Sequence, residues 1–270
     1  NEAGIHTLNL FFDEAAVDEV ITAHGEADFI TSHNVLAHVD DLRAVFRNIY
    51  RLLKTGGHLC FEIGYFSLVL EKGYFDTIYH EHLRYYSVQS LNYLLKKHNM
   101  EIIETKEIST HGGSIRVFAA RKGIYKVSKN VKYQLNKENK FLNKKSFNQF
   151  RDKVVNSKIK LFNLINKLKK EKKIIFGVGA PSRASTMINY LGLDQDIINC
   201  VLEIDGSYKI GHYIPGTKIP ILNEDILKKS KPDFLMLFSW HIKKELKNNL
   251  RKKGFKGKFI IPLPNPKIEL

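Results

Sequence analysis

A chain of 270 residues, 43% of them hydrophobic, is long enough for two ordinary domains with a core in each. It holds no run approaching the ~20 apolar residues a membrane span needs, and its first residues, Asn1-Glu2-Ala3-Gly4, lack the basic and apolar regions of a secretion signal. The formal charge of +15 raises the question of nucleic acid, but the lysines concentrate in Lys122–Lys173 and Leu227–Lys258. There they alternate with Asn, Ser and Leu as on the wet face of a helix, without interleaved stacking aromatics, so neither nucleic acid nor membrane is expected as a partner. A lysine-rich surface can also favour anionic, phosphate-bearing substrates. Cys60 and Cys200 each sit in an apolar run, as buried free thiols of a cytoplasmic protein do, and no zinc-site spacing occurs.

Taken in chain order, His6–Phe12 reads as a short strand and Asp13–His24 as a helix ended by Gly25. Ala27–Ser32 is a strand. Asp40–Lys54 is a helix with one apolar face, stopped by Gly56-Gly57, and His58–Gly64 is a strand again. After an irregular stretch come a helix, Val88–His98, and two strands, Glu101–Ile108 and Ser114–Arg121, close enough for an antiparallel hairpin. Strand–helix alternation implies a mainly parallel sheet with helices on both faces. An antiparallel pair at the end is the usual finish of a class I methyltransferase sheet, although residues 1–123 hold no glycine-rich opening turn. Residues 124–171 read as one or two connecting helices, with a lysine-rich linker as the alternative. Residues 172–270 restart the α/β pattern: strand Lys173–Val178, a tight turn at Gly179-Ala180-Pro181-Ser182, helix Arg183–Leu191, strand Ile197–Glu203, short helix Glu224–Lys229, strand Asp233–Phe238, helix His241–Lys253 and strand Lys258–Ile261. This is a second, smaller Rossmann-like unit.

Four polar clusters carry the chemistry. Tyr79-His80-Glu81-His82, followed by Tyr85 and Tyr86, supplies imidazoles, a carboxylate and phenols suited to acid–base work. A metal held by His80 and His82 would need an extended segment, and none is expected. Thr110-His111-Gly112-Gly113-Ser114-Ile115-Arg116 lets a ligand approach the backbone, or simply turns a hairpin. Ser32-His33-Asn34-Val35-Leu36-Ala37-His38 follows a strand, where open α/β sheets place ligands; His38 can equally be a helix-start histidine. Gly177-Val178-Gly179-Ala180-Pro181-Ser182-Arg183 joins a strand to a helix, either as a phosphate seat or as a purely structural turn.

Together with Phe75-Asp76-Thr77-Ile78 and Gly211-His212-Tyr213-Ile214-Pro215-Gly216, these clusters closely resemble the S-adenosylmethionine-dependent sugar C-methyltransferases that act on nucleotide-linked keto-deoxysugars. The resemblance runs over nearly the whole chain. It implies a zinc-binding domain and a glycine-rich cofactor loop upstream of Asn1, no zinc within the chain, and S-adenosylmethionine as cofactor. It also implies site roles. His82 would be the base, with Tyr79 and Glu81 orienting it or shuttling the proton and His38 bonding the keto or enolate oxygen. His111, Gly112, Gly113 and Ser114 would line the sugar pocket. Ser32, His33 and Asn34 would flank the methionine end of the cofactor, and Phe11 and Phe12 would border adenine or pack in the core. Gly179, Arg183 and His212 would hold the nucleotide diphosphate. The rival readings are an O-methyltransferase for a small molecule, a nicotinamide-dependent oxidoreductase using Glu203 or Asp205 on the ribose, and a basic binding module.

Overall fold

Two aspartates start the first two helices of the computed structural model, which describes residues 4–270. Asp13 accepts the Ala16 amide at 3.0 Å and opens α1 (Glu14–His24); Asp41 does the same for Ala44, also at 3.0 Å, and opens α2 (Leu42–Leu52). Such caps satisfy amides that the helix itself leaves unbonded. Between them runs β1 (Ala27–His33), and β2 (Leu53–Gly64) follows α2 without a gap. Gly56 and Gly57 therefore lie inside a strand instead of stopping a helix. The register against β1 jumps from Ala27↔Leu53 to Phe29↔His58, a bulge that contains both glycines. A Cβ on Gly57 would lie 2.9 Å from the Ala27 carbonyl oxygen, which is why the bulge needs a residue without a side chain there.

The chain continues through α3 (Phe66–Lys72), α4 (Val88–Lys97), β3 (Met100–Ile108), β4 (Ser114–Arg121), α5 (Lys129–Phe141) and the long α6 (Lys144–Lys170). It ends with β5 (Ile175–Val178), α7 (Ser182–Leu191), β6 (Val201–Glu203), β7 (Ile221–Asn223), β8 (Phe234–Leu237), α8 (Lys243–Lys252), β9 (Lys258–Ile261) and β10 (Lys267–Glu269). Short 3₁₀ turns cover Phe75–Thr77, Glu224–Lys228 and Trp240–Ile242. Residues 6–12 form no strand, because they pair with no neighbour, and Ile5, Leu10 and Phe11 stay exposed. Ile197 and Ile198 belong to a turn closed on Asp194, so the strand expected from Ile197 begins only at Val201. No helix among the described residues is long and apolar enough to cross a membrane.

The chain divides into two units. The first comprises residues up to Ser67 and Glu81–Asn143; the second comprises Leu68–His80 and Lys144–Leu270. The two helices read as a connector thus part company, α5 with the first unit and α6 with the second. The first unit is an α/β layer around a four-stranded sheet of order β1-β2-β4-β3. Only β1 and β2 are parallel; β4 runs antiparallel to both β2 and β3. This is the mixed, antiparallel-ending half of a class I methyltransferase sheet. Phe46, Phe61, Leu59, Leu91, Leu95, Ile115 and Val117 are fully buried around it, each worth about 1.5–3 kcal/mol of burial.

The second unit holds a six-stranded sheet of order β10-β9-β8-β5-β6-β7. All neighbouring pairs are parallel except β10 with β9. Every residue of β5 and β8 is buried, as expected for central parallel strands covered on both faces. The strand order reverses between β5 and β8, which opens a crevice at their carboxyl ends. Gly177 in β5 leaves no room for a side chain: a Cβ would lie 2.5 Å from the Phe238 ring and 2.9 Å from Val201. Gly177→Ala should therefore lower stability by about 1–3 kcal/mol through overpacking. An unchanged urea midpoint would show that the crowding is absent.

Candidate active site

Polar side chains gather at the carboxyl edge of the first unit's sheet. β1 ends at His33, and Asn34 turns the chain away with φ of +55° while its amide still donates to the Glu62 carbonyl at 2.9 Å. Asparagine tolerates that left-handed conformation better than most residues. The turn releases residues 35–40 as a loop, which is fastened to residues 81–86 along its length. The His38 ring nitrogen Nδ1 lies 2.8 Å from the Glu81 carbonyl oxygen, and the Leu83 amide donates to the Ala37 carbonyl at 2.9 Å. The Arg84 guanidinium donates to the carbonyls of Val39 and Asp40, and the buried Tyr86 hydroxyl donates to the Leu36 carbonyl at 2.8 Å. Burial, opposed by Arg84, pushes the Tyr86 phenol up to about 12, so it remains a donor.

This fastening sets the His38 and His82 rings 5.0 Å apart, with the Tyr85 ring 6.2 Å from His82. Carbonyl oxygens only accept, so His38 carries a proton on Nδ1. Its Nε2 is then an acceptor in the neutral ring and a donor only in the imidazolium.

The loop between β3 and β4 lies at the same edge. His111, Gly112 and Gly113 take φ of +54°, +92° and +142°, a run that demands glycine at its last two positions. The Ser114 hydroxyl and the Gly113 amide both donate to the Thr110 carbonyl, and the Tyr65 amide donates to the Gly113 carbonyl at 3.4 Å. Tyr65 also bridges to Tyr86, which ties the glycine loop back to the 81–86 segment. The Gly112-Gly113 pair is thus a hairpin turn at the same edge of the sheet as the imidazoles.

Sequence reasoning missed the Glu62–Arg116 pair at this edge. Glu62 is buried in β2, opposite Arg116 in the β4 register, and accepts from Arg116 Nε at 2.5 Å; His33 Nδ1 lies 3.5 Å away. Burial alone would raise the Glu62 pKa, but the Arg116 hydrogen bond and charge, helped by His33, hold it below the usual carboxylate range. The signal in the sequence was a lone acid inside the apolar run Cys60-Phe61-Glu62-Ile63. Ser32 and His33 close β1 as expected. Phe11 and Phe12 stand in an irregular segment before α1, 90% and 42% exposed, so neither packs in a core.

Within the motif that begins at Tyr79, the chain passes from one unit to the other. Glu81 and His82 belong to the first unit, Tyr79 and His80 to the second. In the second unit the segment before Tyr79 is pinned by Asp76, which is fully buried. Its Oδ2 accepts from Trp240 Nε1 at 2.8 Å and lies 3.3 Å from Arg183 Nε, and the Arg183 guanidinium meets His241 Nδ1 at 3.1 Å. Tyr74 packs on Trp240 and Phe75 on Tyr190, while Thr186 donates to the Ile78 carbonyl at 3.1 Å. Arg183, expected as an anion receptor, therefore has an internal task, and its side chain is only 12% exposed. Gly179 faces a crevice at the end of β5, whereas His212 lies exposed in the loop before β7. The structure does not gather these three around one ligand.

A family model described as the C-methyltransferase C-terminal domain matches residues 109–264, and one described as a methyltransferase domain matches residues 2–105. Among curated proteins, the C-methyltransferase NovU of Streptomyces niveus is 28% identical over 274 aligned positions. That alignment takes in 99% of this chain and 64% of NovU, so the chain spans less than two thirds of that relative's length. A solved complex of the Haloferax volcanii Trm112 methyltransferase activator with a methyltransferase overlaps 36% of this chain and 54% of its own, at 14% identity and a TM-score of 0.30.

Two measurements check this geometry. Tyr86→Phe should cost about 1 kcal/mol and speed amide exchange at Leu83; unaltered exchange there would mean that the two loops are not held by this bond. Asp76 gives a pH signature. Burial raises its pKa against the pull of Arg183 and Trp240, and its Oδ1 has no hydrogen-bond partner. An acid whose folded pKa is raised contributes most at low pH and loses that contribution as pH rises through the folded value. Asp76→Asn should accordingly flatten the loss of stability as pH rises above the ordinary aspartate range. A variant whose profile runs parallel to the parent's would contradict the assignment.

Proposed function

Since the chain belongs to the C-methyltransferase family through the C-terminal domain matched over residues 109–264, we propose that it is the larger part of an S-adenosylmethionine-dependent C-methyltransferase. Its substrate in this reading is a nucleotide-linked 4-keto-deoxysugar, and the enzyme is cytoplasmic. The observation that carries the reading is the pair of imidazoles, His38 and His82, set 5.0 Å apart by a fastened loop at the carboxyl edge of the sheet.

Methylating carbon requires a carbanion equivalent. A ketone at C4 acidifies the proton at C3, and a base that removes it yields an enolate. His82 takes that proton, Glu81 orients the imidazole or passes the proton on, and His38 settles charge on the enolate oxygen. With Nδ1 committed to the Glu81 carbonyl, His38 can donate to that oxygen only through Nε2 and only as imidazolium. His111 and the Gly112-Gly113 backbone line the sugar. For the cofactor, the available groups fit a ligand with one zwitterionic end and one flat end: Ser32, His33 and Asn34 are polar groups at a strand terminus, and Phe11 and Phe12 are exposed rings. S-adenosylmethionine supplies, when bound, an electrophilic methyl group for the carbon so activated.

Proton removal can be read apart from methyl transfer. The complete protein should exchange the C3 hydrogen of a 4-keto-6-deoxy nucleotide sugar for deuterium from D₂O. His82→Ala should reduce both exchange and methylation by about 10²–10⁴-fold at an unchanged melting temperature. Methyl gain at an oxygen, without exchange at carbon, would replace this reading with O-methylation.

A further inference from the structure

We infer that Glu138 on α5, acting through Tyr65, is a positioning residue for the imidazole edge, an assignment that rests on the methyl-transfer reading above. The family model covering residues 109–264 counts α5 with the C-terminal domain, whereas the fold puts it in the first unit, with the methyltransferase sheet. Its docking is unusual for a helix. The buried residues Val131, Gln134 and Glu138 share one face, and two of the three are polar. Helices ordinarily dock through an apolar stripe, and a buried polar group is costly unless it is bonded. Whatever bonds these two groups therefore sets where α5 sits.

Glu138 is fully buried. Its Oε1 accepts the Tyr65 hydroxyl at 2.8 Å and the Val88 amide at 2.7 Å, and its Oε2 accepts the Gln89 amide at 2.8 Å. An ionised carboxylate, which only accepts, suits that set of donors. Gln134 donates to Glu107 at 3.0 Å, which fastens the same helix to β3. Tyr65, also fully buried, is where the polar edge converges. Its amide donates to the Gly113 carbonyl in the turn that carries His111, it bridges to Tyr86, and the next amide, of Phe66, donates to the Tyr86 carbonyl at 2.9 Å. Tyr86 in turn holds Leu36 in the loop that carries His38, and it closes the segment that carries His82. The bond from Tyr65 to Glu138 thus ties the imidazole-bearing segments to α5. The start of α4 has a cap of its own in Ser87 and Ser90, so capping that helix is not all that Glu138 does. Replacing a buried charged network with packed apolar groups often leaves stability unchanged or raises it. What an apolar pair would lose here is the fixed place of Tyr65.

Substitutions in the complete protein test this. Tyr65→Phe keeps the ring and removes the hydroxyl. It should lower kcat for methylation about tenfold or more, leave KM within about twofold, and shift the imidazole nitrogen resonances of His38 and His82. Glu138→Gln, which leaves one oxygen for the same donors, should do likewise. Because Glu138 acts through Tyr65, the double variant should lose no more turnover than Glu138→Gln alone. Ser87→Ala weakens the same helix start without touching Tyr65; it should lower the melting temperature and leave kcat within about twofold of the parent. Parental kcat or unshifted rings in Tyr65→Phe, additive losses in the double variant, or a loss in Ser87→Ala as large as in Tyr65→Phe would each overturn the assignment. If the parent does not methylate the keto sugar, it is the reading above that fails, and the ring resonances alone decide whether Glu138 and Tyr65 position the edge.

Discussion

The arrangement of the first unit's polar edge depends on one fastening, in which the loop at residues 35–40 gives its carbonyl oxygens to donors on residues 83–86. A loop of irregular backbone cannot satisfy its own carbonyls. Here Leu83, Arg84 and Tyr86 do so, and in the opposite direction His38 donates to Glu81. The donors and acceptors lie 43 to 50 residues apart in sequence, so ordering them costs loop entropy that the bonds must offset. The burial of Leu36 and Tyr86 at the centre of the contact contributes that offset. The two imidazoles meet because the backbones carrying them are held by neighbours and not by the imidazoles themselves.

The second unit has a fastening of its own. Asp76, Trp240 and Arg183 fix residues 74–78, while α5 supports the chain beyond Tyr86. Glu138 on α5 is buried and accepts the Val88 and Gln89 amides at 2.7 and 2.8 Å, at the start of α4, and also the Tyr65 hydroxyl at 2.8 Å. A carboxylate at a helix N-terminus answers both the unbonded amides and the helix dipole. The motif from Tyr79 to His82 is therefore bracketed by two buried acids, Asp76 before it and Glu138 behind α4. Each lies in the core of a different unit.

The parts of this legible in sequence were those with local physical signals. Caps, apolar periodicity and turn glycines marked α1, α2, α4, β3, β4, α7 and β9 to within a residue or two. Failures have particular causes. The strands β7 and β10 are three residues each, too short for periodicity to register. The Gly56-Gly57 pair looks like a helix stop because glycine permits both a C-cap and a bulge, and only the position of β1 decides between them. Residues 6–12 have a strand's composition without a strand's partner. The imidazole cluster was visible as a motif. Glu62 with Arg116 and Asp76 with Trp240 were not, since each pair joins residues 54 and 164 positions apart. No spacing rule reaches that far.

The protonation states at this edge narrow what it can do. Glu62 is kept anionic by Arg116 and held below the usual carboxylate range, so it accepts a proton poorly. Tyr65 is pushed well up by burial, with the charge of Glu138 adding to that, and Tyr86 is pushed up to about 12, so both phenols stay protonated and spend their hydrogens on protein acceptors. The carboxylate and phenols with fixed roles thus form scaffolding. His33, His38 and His111 stand at this edge on three separate segments, with His82 beside His38.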